Sequence, residues 1–423
     1  MIKRKFGLIV LLFCCILLAE VRLGNRFGAG TRALSFANNY TAVASDLSAV
    51  YWNPAALAFL PVREFQVTVD GFRNYSYSDI TGKSGSGISD SQTDEYHERI
   101  RLSNAGVMSA VPTVQGGLTL AAAYQTPYVF DDVYSYGYRT AESLGGYSVR
   151  EDMIKYGDLR MWSAAFGVQV APGWAAGFTG SLLTGKEYSK RTQDISLYDD
   201  PVDYEDIETE YIGFDFRGGV LYRPNSFFRL GARVVIPQRI RFTEKSTVEE
   251  LMDDLSVQKG DYESKGTMRS APSGSMGMGF TLPWLTLSTE GRFTMPYTFV
   301  YPGEDIPESS QARYFKLGGG VGVEIPLADL PVMVRLGYSY DEFDLHQYVY
   351  DYDDFDIDWS DDDFTVHKDK QTYTAGVGFV SSGTGIEISY GYQVWGITHE
   401  NRDRVLKQDY NSHRAKISLI TRY

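Results

Sequence analysis

Cysteine is nearly absent from the sequence. Of 423 residues only Cys14 and Cys15 are cysteine, and they stand side by side near the N-terminus. The rest of the chain can therefore form neither a disulfide framework nor a thiolate metal site. This excludes small disulfide-stapled domains and zinc-finger-like modules as the basis of the fold.

Long apolar runs are equally scarce. The one clear run spans residues 6–18 and follows the basic group Lys3, Arg4 and Lys5. It is shorter than the roughly 20 residues that a membrane-spanning helix needs. A short basic region followed by such a run is typical of a secretory signal peptide. We predict a signal peptide over residues 1–19, whose removal also removes both cysteines.

The chain has fewer basic than acidic residues. The chain has 40 Lys and Arg against 54 Asp and Glu, and loss of the three basic residues at the N-terminus takes the net charge from −14 to −17. Such a chain is a poor partner for nucleic acid, and no simple electrostatic attraction draws it to anionic lipopolysaccharide.

The sequence also lacks the motifs of a catalytic site. No Gly-x-Ser-x-Gly elbow and no close pairing of serine with histidine stands out, so we predict that the protein is not an enzyme. The five histidines are scattered along the chain: His97, His346, His367, His399 and His413.

Alternating polarity is what the chain does contain. The C-terminal stretch places one set of side chains on one face and a polar set on the other, as a wall with lipid outside and water inside requires. The first set is Ala415, Ile417, Leu419, Thr421 and Tyr423, and the second is Arg414, Lys416, Ser418 and Arg422. The 31 tyrosines and 42 glycines suit aromatic girdles and closely packed strands.

The same pattern recurs in fourteen segments, an even number. They lie at 62–74, 99–111, 115–126, 155–170, 174–191, 207–222, 226–243, 264–282, 284–298, 312–326, 331–344, 370–382, 385–399 and 411–423. Tight turns alternate with long polar stretches, which we predict to be extracellular loops, at 75–98, 127–154, 192–206, 244–263, 299–311, 345–369 and 400–410. We therefore predict an all-β protein, a membrane-spanning antiparallel β-barrel of about 14 strands over residues 61–423, in a Gram-negative-type outer membrane.

The two faces of the clearer strands can be assigned. Leu230 and Val234 should meet lipid while Arg229 and Arg233 point into the lumen. An unpaired charge on the lipid face costs roughly 2 to 4 kcal/mol near the midplane, which forces charges inward. The lumen then carries charges of both signs, which we expect to brace a plug or one another.

Residues 20–60 do not fit a strand of the wall. They are rich in small residues and precede the first strand, so we predict a hatch that sits inside the barrel or below it. Within it, residues 42–57 read AVASDLSAVYWNPAAL. This run resembles the hatch motif of the FadL/TodX outer-membrane transporters of long-chain fatty acids and other hydrophobic molecules, in which small residues lead to an acidic residue and an aromatic-Asn-Pro-Ala step. PorV-like barrels, relatives associated with type IX secretion, carry a similar segment.

The resemblance to FadL/TodX implies a barrel that captures an apolar ligand such as a fatty acid, holds it in the lumen and releases it sideways into the membrane by hatch movement. The resemblance to PorV-like barrels implies instead a scaffold that holds a secretion partner. The residues that the first reading assigns to the hatch and ligand are Phe27, Phe36, Asp46, Tyr51, Trp52, Asn53 and Pro54. Turn chemistry explains Asn-Pro as well, and the aromatic residues can simply pack the hatch against the wall.

A lateral opening would need a weak point in strand pairing. Gly116 and Gly117, or Pro127 where the third strand ends, could supply it, although an ordinary strand end explains Pro127 too.

One acidic run stands out in a predicted loop. Asp354, Asp356 and Asp358 have Asp-x-Asp-x-Asp spacing, but Trp359 stands where an EF-hand loop has glycine and Thr365 where it has glutamate, so we do not expect an EF-hand. The alternatives are a solvated acidic loop and a loose Ca²⁺ or Mg²⁺ site bridging to lipopolysaccharide phosphates. No other cofactor is expected.

Overall fold

The computed structural model describes the wall and the segment that precedes it. The described residues are 28–141, 146–196, 203–236, 239–251, 257–269, 272–294, 299–300, 316–327, 330–342, 363–400 and 403–423. The predicted signal peptide lies outside them. Across these ranges, no helix has the length and apolar character needed to cross a membrane.

Strands make up most of the described chain. They are β1 Glu64–Gly82, β2 Ser91–Val111, β3 Leu118–Val129, β4 Asp132–Arg139, β5 Ser148–Ala171, β6 Trp174–Ile195, β7 Asp203–Tyr222, β8 Phe228–Ile236, β9 Arg239–Leu251, β10 Val257–Arg269, β11 Ser273–Leu282, β12 Leu285–Thr294, β13 Phe299–Val300, β14 Lys316–Pro326, β15 Val332–Asp341, β16 Asp363–Ser381, β17 Thr384–Glu400 and β18 Arg404–Arg422. Two short α-helices, Thr31–Ser35 and Ala49–Trp52, and a 3-10 helix, Pro54–Phe59, precede them.

The strands form one closed antiparallel sheet. The last strand, β18, pairs with β1 along its whole length, from Glu64 opposite Arg422 to Gly82 opposite Arg404. Four wall strands are each built from two elements in line, namely β3 with β4, β8 with β9, β10 with β11 and β12 with β13. The wall therefore has fourteen strands, which confirms the predicted fold class.

All fourteen predicted segments coincide with wall strands, but the strands run further into the predicted loops. The stretch 75–98 was expected to be a loop, yet β1 continues to Gly82 and β2 already begins at Ser91. The stretch 400–410 is almost entirely strand, because β18 begins at Arg404. Beyond the bilayer both faces of a strand meet water, so the apolar alternation that marks a strand in sequence disappears.

The outer surface is an apolar belt bounded by aromatic rings. Val234 is 52% exposed while its neighbour Arg233 is buried in the lumen, as the alternation predicts. At the rim with the short turns the rings of Trp174 and Tyr222 stack with centroids 4.3 Å apart, and tilted aromatic pairs recur further along the strands, Tyr75 with Tyr96 and Tyr392 with His413. Such girdles mark the two membrane–water interfaces.

Candidate functional site

An inner segment, residues 28–60, lies within the lumen. Most of its apolar side chains are buried, among them Leu34, Leu47 and Leu57, while Phe59 and Leu60 are partly buried. Carboxylates of the wall bind its backbone: Glu290 accepts a hydrogen bond of 2.9 Å from the Thr41 N–H, and Glu64 accepts one of 2.7 Å from the Leu47 N–H. Lumenal charges thus satisfy backbone groups that lie between the short helices of the segment.

Two glycines of the wall let the Asn53–Pro54 step approach closely. A Cβ at Gly219 in β7 would lie 2.1 Å from Asn53 Oδ1, and one at Gly177 in β6 would lie 2.3 Å from the carbonyl carbon of Pro54. No side chain larger than hydrogen fits at either position without moving the inner segment. Some of the many glycines in the sequence therefore serve to let the inner segment pack directly against the wall.

Asn53 performs two tasks at once. Its Oδ1 accepts a hydrogen bond from the Ala55 N–H, which caps the 3-10 helix, and this is the turn chemistry that the sequence suggested. Its Nδ2 donates to the carbonyl oxygens of Thr41 at 2.9 Å and of Val220 at 3.2 Å. The second of these bonds ties the segment directly to strand β7.

Asp46 and Trp52 hold the inner segment together internally. Asp46 Oδ1 accepts a hydrogen bond of 3.0 Å from the Ser48 N–H ahead of the helix Ala49–Trp52, while its Oδ2 has no hydrogen-bond partner although the residue is fully buried. The indole N–H of Trp52 donates to the Ala29 carbonyl at 2.7 Å. Both residues therefore have a structural role in folding the segment.

Phe36 packs between the inner segment and the wall. Its ring centroid lies 5.8 Å from that of Tyr40, and a Cβ at Gly322 of β14 would lie 2.4 Å from Phe36 Cδ1. Burial and the nearby carboxylate of Asp46 raise the pKa of the Tyr40 hydroxyl, so the phenol stays neutral. The arrangement agrees with the alternative that the aromatic residues pack the inner segment against the wall.

Arg217 in β7 joins three parts of the site. Its guanidinium forms a 2.6 Å ion pair with Asp215, donates a hydrogen bond of 3.0 Å to the Tyr51 carbonyl, and donates another of 3.2 Å to the Tyr128 hydroxyl. The Tyr51 ring lies over the same guanidinium, and Arg233 also donates to the Tyr51 carbonyl at 3.2 Å. One buried cation therefore contacts the wall, the inner segment and strand β3.

The wall has a break between β2 and β3. Their ladder runs from Val111 opposite Leu118 to Asn104 opposite Gln125 and stops there. The next residues of β3 bulge against β5, and Pro127, which has no N–H, cannot continue the ladder. In place of a rung, the Thr126 hydroxyl reaches the carbonyls of Leu102 and Ser103 at 3.4 Å each.

Beyond the break the chain turns into the lumen. Five consecutive residues from Thr126 to Phe130 are buried, which an ordinary wall strand with alternating exposure does not show. Asn74 Nδ2 of β1, which faces inward, donates to the Asp131 carbonyl at 2.8 Å. Arg99 spans the gap from β2 with a contact of 3.4 Å to Asp131 Oδ1 and a further ion pair to Asp158.

Apolar side chains line the lumen beside this bend. Phe130 packs on Tyr211 with ring centroids 5.4 Å apart. Their neighbours belong to one apolar cluster that continues into the inner segment and includes Leu159, Met161, Leu183, Ile240 and Phe242. On the outer side of the break, Ile100 and Leu102 are exposed toward lipid, and Ile100 is 79% exposed.

The break does not lie at Gly116 and Gly117. Pairing of β2 with β3 is intact at their level, where Val111 opposes Leu118. Gly116 has a φ of 76° in the turn before β3, and Gly117 admits the Ala58 carbonyl oxygen, which would lie 2.2 Å from an added Cβ. These glycines therefore form a turn and a docking surface rather than a weak point in the ladder.

Two groups of predicted site residues lie outside the described part of the chain. Phe27 precedes it, and Asp354, Asp356 and Asp358 fall in the undescribed stretch 343–362. Within the described ranges no group of three or more His, Cys, Asp or Glu side chains is placed to hold a metal ion.

Sequence reasoning missed Tyr128, Phe130 and the connecting role of Arg217. A signal for the first two was present, because an uninterrupted Tyr-Val-Phe triplet after Pro127 departs from the period of two that holds elsewhere. The alternation along β7 assigns the Arg217 side chain to the lumen. Its partners could not be predicted, because they come from distant parts of the chain.

The sequence by itself matches no known family model, and no curated protein matches it either. Solved structures do share its fold. The Pseudomonas putida toluene transporter TodX superposes with a TM-score of 0.62 at 11% identity, over 94% of this chain and 99% of that one. A Pseudomonas aeruginosa FadL homologue gives a TM-score of 0.57 at 13% identity, over 93% and 98% of the two chains. The Ralstonia pickettii toluene transporter TbuX gives 0.57 at 13%, over 94% and 99%.

Proposed function

We propose that this barrel carries hydrophobic small molecules across the outer membrane and releases them sideways through the break between β2 and β3. The observation that carries the proposal is the break itself. It has exposed Ile100 and Leu102 on the lipid side and the apolar cluster around Phe130 on the lumenal side. Apolar surface on both sides offers a path on which an apolar molecule does not meet bulk water.

The solved structures with this fold support the ligand class. Two of the three described above are toluene transporters, and the third is a FadL homologue. Monoaromatic hydrocarbons and long-chain fatty acids are therefore the first candidates to test.

We further propose that the inner segment acts as the gate. It fills the lumen below the break, and Arg217 binds both the Tyr51 carbonyl and the Tyr128 hydroxyl, so the segment and the bend are held by one side chain. Movement of the segment would break the Tyr51 contact and release Arg217 from one of its partners.

Uptake measurements test the proposal. The protein would be expressed in a Gram-negative strain that lacks its own hydrophobic-compound channel, with surface assembly confirmed by heat-modifiable mobility. Labelled toluene and oleate would be supplied in parallel. Accumulation of either one above the empty-vector level supports the proposal, while an assembled barrel with no uptake of either favours the secretion scaffold.

A cross-link tests the sideways exit. The double variant Ser103→Cys with Thr126→Cys places two thiols at the break, where the Thr126 hydroxyl reaches the Ser103 carbonyl at 3.4 Å, and disulfide formation is confirmed first. We expect uptake to fall at least tenfold on oxidation and to recover on reduction. The matched control is Ser109→Cys with Leu120→Cys, which links the same two strands at an intact rung and should leave uptake unchanged. Full uptake through the cross-linked break would exclude this exit.

We propose separately that the acidic run at residues 351–363 binds a divalent cation. If Asp354, Asp356 and Asp358 hold Ca²⁺ or Mg²⁺ between the barrel and lipopolysaccharide, chelation will alter uptake in the wild type, and a triple asparagine variant will not respond to chelation.

A further inference from the structure

Three buried amides form an unusual group on the lumenal face of the wall just below the break. Gln66 of β1, Asn104 of β2 and Gln125 of β3 are each 0% exposed, and neither the oxygen nor the nitrogen of any of the three amides has a hydrogen-bond partner. Buried amides are normally hydrogen-bonded, because an unsatisfied donor or acceptor is costly. Six unsatisfied polar atoms on adjacent strands therefore require an explanation.

The register of the sheet brings the three side chains together. Asn104 stands directly opposite Gln125, in the last rung of the ladder before the break. On its other side Asn104 stands opposite Thr68, and Gln66 lies two residues away on the same face of β1. Residues opposite or diagonal to one another on one face of a sheet are close enough for long side chains to share a partner.

The inner segment lies against the wall beside this group. Gly106, which stands opposite Gln66, lies so close to Leu47 that an added Cβ would be 3.0 Å from Leu47 Cδ2. Asp46, just before Leu47, is fully buried and keeps one carboxylate oxygen without a partner. The amides thus lie between the segment that we propose as the gate and the break that we propose as the exit.

We propose that Gln66, Asn104 and Gln125 form a binding site for an uncharged hydroxyl group on an otherwise apolar ligand, an inference that rests on the proposed function and narrows its ligand class. Amides offer donors and acceptors together, which matches a hydroxyl. The inner segment also contributes Asp46, whose unpartnered oxygen can accept a hydrogen bond from a hydroxyl but disfavours a carboxylate on the ligand. The basic side chains further up the wall each bind a group of the protein: Arg101 and Arg414 bind Asp70, and Lys416 binds the Gly28 carbonyl.

Three probes of one shape test this assignment. They are 4-bromotoluene, 4-bromobenzyl alcohol and 4-bromobenzoate, titrated against the purified full-length barrel in detergent, with correction for partition into empty micelles. We expect the alcohol to bind at least tenfold more tightly than bromotoluene and benzoate. Bromine anomalous scattering from a soaked crystal should place the alcohol with its hydroxyl end at the amides.

The variant that removes the site is Gln66→Met with Asn104→Leu and Gln125→Met, which keeps side-chain volume and removes the hydrogen-bonding atoms. We expect it to lower the affinity for the alcohol about tenfold, to the level of bromotoluene, and to leave bromotoluene within twofold of the wild type. Gln393→Met, which alters a buried lumenal glutamine on β17 that already bonds to Thr372, is the matched control and should change neither affinity. If the triple variant does not assemble, Gln66→Met and Gln125→Met alone give the same comparison.

The outcomes separate the two proposals. Equal binding of the three probes, or an alcohol preference that survives in the triple variant, would overturn the amide site and leave the proposed function intact. Tighter binding of benzoate would overturn the assignment to an uncharged group. Failure of all three probes to bind would count against the proposed function as well.

Discussion

Arg217 and Tyr51 are joined in two ways. The guanidinium donates a hydrogen bond of 3.0 Å to the Tyr51 carbonyl, and its central carbon lies 3.8 Å from the centroid of the Tyr51 ring. Because Arg217 is also paired with Asp215 on its own strand, the inner segment is held to the wall by a charge that is itself fixed in place.

Replacement of Arg217 by methionine should destabilise the barrel by about 3 to 5 kcal/mol, because Asp215 is left as a buried and unpaired charge. The measurement is the denaturant midpoint of refolded barrel in lipid, followed by tryptophan fluorescence. The double variant Arg217→Met with Asp215→Asn removes both charges and should recover most of the loss. Equal destabilisation of the single and double variants would show that the ion pair is not the cause.

Replacement of Asn53 by alanine should loosen the inner segment without unfolding the wall. It removes the cap of the 3-10 helix and the bonds to the Thr41 and Val220 carbonyls, a loss of about 1 to 3 kcal/mol. Hydrogen exchange of residues 49–59 should speed up roughly 5- to 150-fold. Asn225→Ala, in an exposed turn where the side chain accepts from Phe227 and Phe228, is the control and should leave exchange in this segment unchanged.

Valine at Gly219 should displace the inner segment, since its Cβ would overlap Asn53 Oδ1. We expect an assembled barrel with raised ion conductance in planar bilayers. The adjacent Gly218→Val is a close control, because a Cβ there meets only Val234 at an ordinary 3.6 Å on the lipid side. Equal conductance in the two variants would mean that the segment does not close the lumen.

A lysine at Ile388 should cost about 2 to 4 kcal/mol of folding free energy, because this side chain is 51% exposed within the lipid-facing belt of β17. Thr384→Lys, at the first residue of the same strand, should cost about 1 kcal/mol or less, since the strand begins at the membrane–water interface. Refolding into vesicles over a denaturant series compares them. A similar cost at both positions would contradict the assigned depth of the strand.

The strands and their faces follow closely from the sequence. Period-two alternation located all fourteen wall strands. It also assigned Arg233 to the lumen and Val234 to the lipid face, and the structure shows both side chains there. The alternation failed above the membrane, at residues 75–82 and 404–410, because water on both faces removes the contrast on which it depends.

The sequence by itself determined the barrel, because a wall between lipid and water imposes its period on every strand that crosses it. Only the tertiary structure decided where the wall is broken. Pro127 was visible in the sequence, but whether it ends a strand or opens a gap depends on which residues of β2 stand beside it, and that register is set by pairing around the whole ring. The tertiary structure also decided the surroundings of Arg217 and of the three amides. Arg217 binds groups from distant parts of the chain, and the amides come from three different strands.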